Sequence, residues 1–319
     1  MLININITEE IIEKYFKLLN KISNLEINYS FNKLEISDEE LDIQLNNNII
    51  GKYIITNLKD KIKQMNFRYK ITFGNNFIII FSENKIKDSI KIKSLIQIIL
   101  YLQNIGNNLT LNGYFYLTSS LRKISTGCFN THAVNGGYTK LNMKRKLIVW
   151  RKEDGIKVFI HELIHYFDID KYYRKYKDIN EYLNLTTNHD YVFEAFTDFF
   201  AINYYMVYLS LIEKNLTKEF LHNNFNEQYN FSLIQGFKVI KYSNLDKGMI
   251  IKNTTNVYCY YLLKLYLMLF LRNKDLKNIN IKDIVDESYN LYTNSLISRY
   301  IKKIKLDNKL NMAFKQIFL

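Results

Sequence analysis

The sequence predicts an α+β fold, with a small sheet-bearing N-terminal half followed by a mainly helical half. Three observations predict it. Residues 66–73 and 77–82 are β-rich runs separated by Gly74-Asn75-Asn76, a hairpin signature. Residues 113–118 and 146–151 are apolar, aromatic and β-branched, as strands are. From residue 152 onward apolar residues recur at helical spacing nearly to the end.

Taken in order, Thr8-Glu9-Glu10 ahead of Ile11, Ile12, Tyr15, Phe16 and Leu19 predicts a capped amphipathic helix. Residues 25–50 alternate weakly, which suggests short strands. After the hairpin, Ile92, Leu95, Ile96, Ile99 and Leu102 give a buried side to a helix over 88–104. Between the strands at 113–118 and 146–151 lies Thr131 through Thr139. Its Gly136-Gly137 pair marks a bend, or a place where another backbone comes close. Helices follow near 152–167, 190–212, 217–241, 254–272 and 280–317, the last broken. The organisation is residues 1–110, of unassigned role, and residues 111–319 (sheet 111–151, helices 152–319), in one compact unit with a cleft. No internal repeat or polar linker separates them.

Composition bounds the partners. A chain of 319 residues, 48% hydrophobic, can bury a sizeable core. Proline is absent while Asn, Ile, Lys and Tyr abound, a bias that suits an AT-rich genome. The net charge of +13 is mostly lysine spread along the chain, with no nucleic-acid module, which favours a solvated basic surface over a nucleic-acid face. Two cysteines, Cys128 and Cys259, make no disulfide framework and suit a reducing compartment. The first residues lack the pattern of a signal peptide, and the apolar runs 191–212 and 257–271 read as core helices rather than membrane spans. The expectation is an intracellular protein of open oligomeric state.

The chemistry concentrates at His161-Glu162-Leu163-Ile164-His165. Residues four apart on a helix lie one turn above each other, so both imidazoles can reach a single metal. Glu162 stands where its carboxylate can take a proton from metal-bound water. Downstream, Glu194 and Asp198 are four apart inside the apolar run from Tyr191 to Ile212, and burying them unpaired is costly. A third metal ligand (Glu194) and a carboxylate orienting a ligating imidazole (Asp198) account for both. Pairing with lysine or arginine across a helix interface is the plainer alternative. The ion expected is a single Zn2+. The metzincin continuation is missing, since Tyr166-Phe167-Asp168 follows the pentapeptide; Asp168 is free to cap or orient the end of the helix.

A HExxH helix after a small sheet, with a glutamate ligand on a later helix, resembles the gluzincin metallopeptidases. Several segments are similar to an uncharacterised family of predicted metallopeptidases encoded by large nucleocytoplasmic DNA viruses. They are Val134 through Thr139, Arg151 through His165, Phe193 through Asn203, Phe231 through Lys238 and Thr255 through Lys264. The resemblance covers most of residues 113–265 and implies a zincin-like fold, zinc ligation by His161, His165 and Glu194, and Glu162 as base. A virus-encoded protein of this kind would act in the host cytoplasm or be packaged in the virion. The pentapeptide also occurs in clostridial neurotoxin light chains, although the rest of those chains does not match.

The reaction expected is hydrolysis of a protein or peptide. In the gluzincins the strand before the active-site helix pairs with an extended substrate; here Asn135, Gly136 and Gly137, or strand 146–151, would serve. Tyr260 and Tyr261 are candidate donors to the oxyanion, with His222 and His189 behind them. Alternatives from other classes are a catalytically idle structural or virion protein that keeps a zinc site, a bacterial toxin-like zinc endopeptidase, and a nucleic-acid-binding protein.

Overall fold

The computed structural model describes residues 9–48, 57–87, 89–122, 134–140, 145–176, 191–243, 256–270 and 281–293, with Met312 and Lys315. The first half runs α1 (Glu9–Ser23), β1 (Ser30–Lys33), α2 (Asp38–Asn48), α3 (Leu58–Lys63), β2 (Phe67–Phe73), β3 (Asn76–Ser82), α4 (Ser89–Ile105), β4 (Asn112–Thr118), β5 (Gly137–Lys140) and β6 (Lys146–Arg151). The second half runs α5 (Gly155–Tyr166), a 3-10 turn (Tyr173–Lys175), α6 (Val192–Ile212) and α7 (Lys218–Ser243). A π-helical segment (Tyr258–Leu263) then continues into α8 (Lys264–Phe270), and α9 (Ile281–Thr293) follows. This is the α+β arrangement that the β-rich runs and the helical periodicity predict.

The strands form one mixed sheet in the order β1-β2-β3-β4-β6-β5. The hairpin falls where Gly74 takes a φ of +54°, a conformation glycine adopts without steric cost. β3 and β4 are parallel, joined by the α4 crossover, and β4 is parallel to β6. The division drawn at residue 110 therefore falls between two hydrogen-bonded strands, and the first 110 residues supply half of the sheet.

Period-two alternation sends the strand side chains into two cores. Ile78, Ile80, Phe115, Leu117, Leu147 and Val149 join the larger core with the helices of the second half. Phe81, Tyr114, Tyr116, Ile148 and Trp150 join a smaller one, closed by Leu41 and Leu45 of α2 and by Leu58 and Ile62 of α3. Weak alternation over 25–50 suggests strands, yet among the described residues of that stretch only Ser30–Lys33 is one; Asp38–Asn48 is helical. The deciding signal is Ser37-Asp38-Glu39-Glu40, a reciprocal capping box. Ser37 N–H donates to Glu40 Oε2 and Glu40 N–H to Ser37 Oγ, both at 3.2 Å. The helix expected over 280–317 is present as Ile281–Thr293; most of the remainder lies outside the described residues.

Among the described residues one helix, Val192–Ile212, is long and apolar enough to cross a membrane, and it is mostly buried within the molecule. It packs against α5, whose twelve residues are all buried. Phe159 anchors α5 on the sheet, stacked on Phe115 with ring centroids 4.3 Å apart. At the far end of α5, Gly106 meets Phe167. A Cβ on Gly106 would stand 2.4 Å from Phe167 O and 2.7 Å from Phe167 Cβ, neither of which can swing aside. Gly106→Ala should therefore destabilise the protein by about 1–3 kcal/mol, read as a lower denaturation midpoint in urea.

Candidate metal centre

Three helices meet with side chains in register. On α5, Lys157, His161 and His165 are spaced by four residues and share a face; on α6, Glu194 and Asp198 do the same. His161 Nε2 and His165 Nε2 are 3.1 Å apart, and Glu194 Oε2 lies 3.2 Å from the first and 3.3 Å from the second. This buried group can hold a metal ion.

The outer nitrogens explain why the inner ones are available. His161 Nδ1 faces Asp198 Oδ1 at 3.0 Å, and His165 Nδ1 faces Asp170 Oδ2 at 2.6 Å. Burial works against the charge on Asp198, but Lys157, Lys264 and His161 outweigh it and hold the carboxyl well below its usual range. Asp170 is likewise lowered, its burial outweighed by His165 and Arg174. Ionised carboxylates only accept, so each Nδ1 carries the proton and each Nε2 offers a lone pair. Two bare lone pairs and a carboxylate oxygen about 3 Å apart repel one another unless a cation or protons lie among them. The donor set therefore fits a metal.

Without a cation, protons take that place. Burial opposes protonation of His165, but the Glu194 charge and the Asp170 hydrogen bond outweigh it and lift the imidazole well above its ordinary value. His161 is raised too, burial being outweighed by its hydrogen bonds to Asp198 and Glu194. The same imidazoles hold Glu194 far below the usual carboxylate range despite its burial.

Glu162 belongs to the cavity but not to the ligand group. Its Oε2 accepts from Thr139 Oγ1 of β5 at 2.8 Å, and that hydroxyl also lies 2.9 Å from Glu162 O. Burial raises the Glu162 carboxyl above its ordinary value, against the pull of the two imidazoles and the Thr139 hydrogen bond. The cavity beside it measures about 320 Å³ and is lined by Asn135, Gly137, Thr139, the two histidines, Glu194 and Tyr260 among others.

The expected site residues separate here. Tyr260 lies in the π-helical segment with its ring 5.7 Å from that of His161 and its hydroxyl 3.4 Å from Glu194 Oε2. Burial and then the Glu194 charge raise Tyr260 well above its ordinary value, so it stays a phenol that can donate. Tyr261, the other candidate, is buried in the apolar core and does not line the cavity; successive residues on a helix face different ways. His222 is on α7 against Asn226, away from the centre, and His189 lies outside the described residues.

Gly136 and Gly137 are close-approach positions, but what approaches is the protein itself. A Cβ on Gly137 would sit 2.8 Å from Val158 Cγ1, 3.0 Å from Ile148 O and 3.2 Å from Glu162 Cγ; one on Gly136 would meet Arg122 Nη2 at 2.5 Å. Asn135 lines the cavity while its carbonyl accepts from Arg151 Nε at 2.8 Å. Strand 146–151 cannot take up a peptide, because β6 is hydrogen-bonded on both sides, to β4 and to β5. β5 is the edge strand on this side of the sheet among the described residues, with β1 at the opposite edge.

Asp198 satisfies both readings at once, orienting His161 and pairing with Lys157 and Lys264 across the helix interface. Asp168 gathers the end of α5, accepting from Arg174 Nη1 at 2.8 Å, Asn107 Nδ2 at 2.8 Å and Arg145 Nη1 at 2.9 Å. Sequence reasoning missed Asp170, Arg174, Thr139 and the two lysines. Lys157 was visible, four residues before His161 on the same face. Asp170 and Thr139 reach the site through loop and sheet geometry that no periodicity encodes.

These shifts set the pH response of the metal-free protein. His165, raised on folding, contributes stability that is full below its unfolded value of about 6.5 and is lost as pH rises through the raised value. Glu194, lowered on folding, contributes above about 4.5 and loses its share as pH falls. In chelator, the melting temperature should be highest between about pH 4.5 and 6.5 and decline toward alkaline pH. With metal the trend reverses, because the ligands must shed protons; a metal-induced rise in melting temperature that shrinks from pH 6 to 8 would contradict it.

No protein-family model, curated protein or solved structure matches the chain, so the site is read from its own chemistry.

Proposed function

We propose that this chain is a zinc-dependent metallopeptidase of the gluzincin type, with His161, His165 and Glu194 holding one Zn2+ and Glu162 acting as base. One observation carries the reading. The three ligand atoms are 3.1, 3.2 and 3.3 Å apart, and a tetrahedral ion with bonds of roughly 2.0–2.1 Å needs them about 3.3–3.4 Å apart. A zinc ion there supplies Lewis acidity and an acidified water at neutral pH. His161, His165 and Glu194 would hold the ion, and a purely structural site has no need of the non-ligating Glu162 beside it.

The chain's own groups complete the reaction. Glu162, held by Thr139, takes the proton from the attacking water and passes it to the departing amine. Tyr260, kept protonated, donates to the oxyanion that develops on the scissile carbonyl. An extended peptide would pair along β5, an edge strand among the described residues, beside the base that Thr139 holds. The kinship with the viral metallopeptidase family, and with it a place in the host cytoplasm or virion, belongs to the same proposal and rests on the sequence segments alone.

Purified protein should hold close to one zinc per chain, and His161→Ala should lose most of it in metal analysis. Glu162→Gln should keep the metal and lose about 10²–10⁴ in turnover of a peptide library. Unchanged turnover removes Glu162 from its role. Tyr260→Phe should lower kcat by about 10²–10³ with little change in KM, as removal of an oxyanion donor does.

A further inference from the structure

Each ligating histidine leans on a carboxylate that is already tied to a cation. Behind His165, Asp170 is gripped by Arg174 through both oxygens, Nη2 to Oδ1 at 2.6 Å and Nε to Oδ2 at 3.1 Å. Behind His161, Asp198 meets two ammonium groups. Lys157 Nζ contacts Oδ1, the oxygen that faces His161 Nδ1, and Lys264 Nζ lies 2.7 Å from Oδ2. The side chains of Lys157 and Asp198 are 0% exposed and that of Lys264 is 2% exposed, so water screens none of these charges. Burial pushes Lys157 down to about 8, against the attraction of Asp198 and with the repulsion of Lys264, and it stays largely charged at neutral pH.

One cation is enough to offset one buried carboxylate, and Asp198 has two. A bare carboxylate behind a ligating imidazole makes the ring more basic and binds the metal more firmly. A carboxylate whose lone pairs are shared with ammonium groups still fixes the ring and its tautomer but gives up less electron density. The two lysines also place positive charge behind the ligand, directed against the ion.

We propose that Lys157 and Lys264 are positioning residues that act on the metal through Asp198 and His161: they hold the ring in place while loosening its grip on the ion. The result is a centre that orients its ligands firmly and leaves the ion more electrophilic. This inference rests on the metal reading given above.

The test compares wild type with Lys264→Met and with the double variant Lys157→Met and Lys264→Met, all as the full chain. Affinity for Zn2+ and Co2+ is measured by competition with a chromophoric chelator, and melting temperature with and without zinc. The single variant should bind zinc tighter by at least about fivefold and the double variant tighter still. Both should show a larger zinc-induced rise in melting temperature, and a lower kcat at unchanged KM if a peptide substrate is in hand. Lys264→Gln, neutral yet able to donate a hydrogen bond, carries the same expectation should the methionine variants not fold, and Lys264→Arg should restore wild-type affinity. Equal or weaker zinc binding in the neutral variants overturns the proposal and leaves the metal centre standing. Wild-type protein that binds neither ion overturns both.

Discussion

Buried charge, and the need to balance it, is the constraint on which the rest of this structure depends. Four carboxylates, Glu162, Asp170, Glu194 and Asp198, lie within the span of two helices and one loop, all nearly shielded from water. Unbalanced, they would cost far more than the few kcal/mol by which a domain of this kind is stable. The chain answers with cations on neighbouring elements and with two imidazoles whose protons point outward. What is left uncompensated is a pocket of lone pairs between His161, His165 and Glu194. The metal-binding capacity of the site follows from how the charges around it are matched.

Helical repetition makes the arrangement economical. Lys157, His161 and His165 lie along one face of one helix, Glu194 and Asp198 along one face of another, and Tyr260 and Lys264 follow the same spacing on a third. Laid side by side, the three faces build two tiers. The deeper tier joins Lys157, Asp198 and Lys264, and the upper tier joins His161, Glu194 and Tyr260. Each helix thus ties a residue facing the cavity to one buried in the packing, and a shift in either tier is felt in the other.

Much of this was legible in the sequence because it is written in spacings. HExxH and the pair Glu194 and Asp198 depend on the helical period of 3.6, which a linear reading recovers, and the longer strands show in their β-branched and aromatic content and in the Gly74-Asn75-Asn76 turn. What depends on the chain returning from elsewhere was not legible. Asp170 reaches His165 because the backbone turns at Asp168, whose φ is +56°. Thr139 reaches Glu162 because a four-residue strand hooks onto the sheet edge. Choosing between Tyr260 and Tyr261 required the exact rotation of a helix, which no pattern over adjacent tyrosines supplies. Some local structure was missed too: at 38–48 a weak alternation outweighed the Ser37–Glu40 capping signal, and the short helix Leu58–Lys63 and strand Gly137–Lys140 are too brief to show a period.

The π-helical turn at Tyr258–Leu263 holds one residue more than an α-helical turn of the same height. A single deletion there would wind the segment back to ordinary pitch and rotate everything on one side of it by about 100°. Tyr260 would then leave the mouth of the cavity while Lys264 kept its hold on Asp198. The extra residue of the π-turn thus sets the rotation of the phenol relative to the lysine that follows it, and the two tiers stay in register only while that turn is kept.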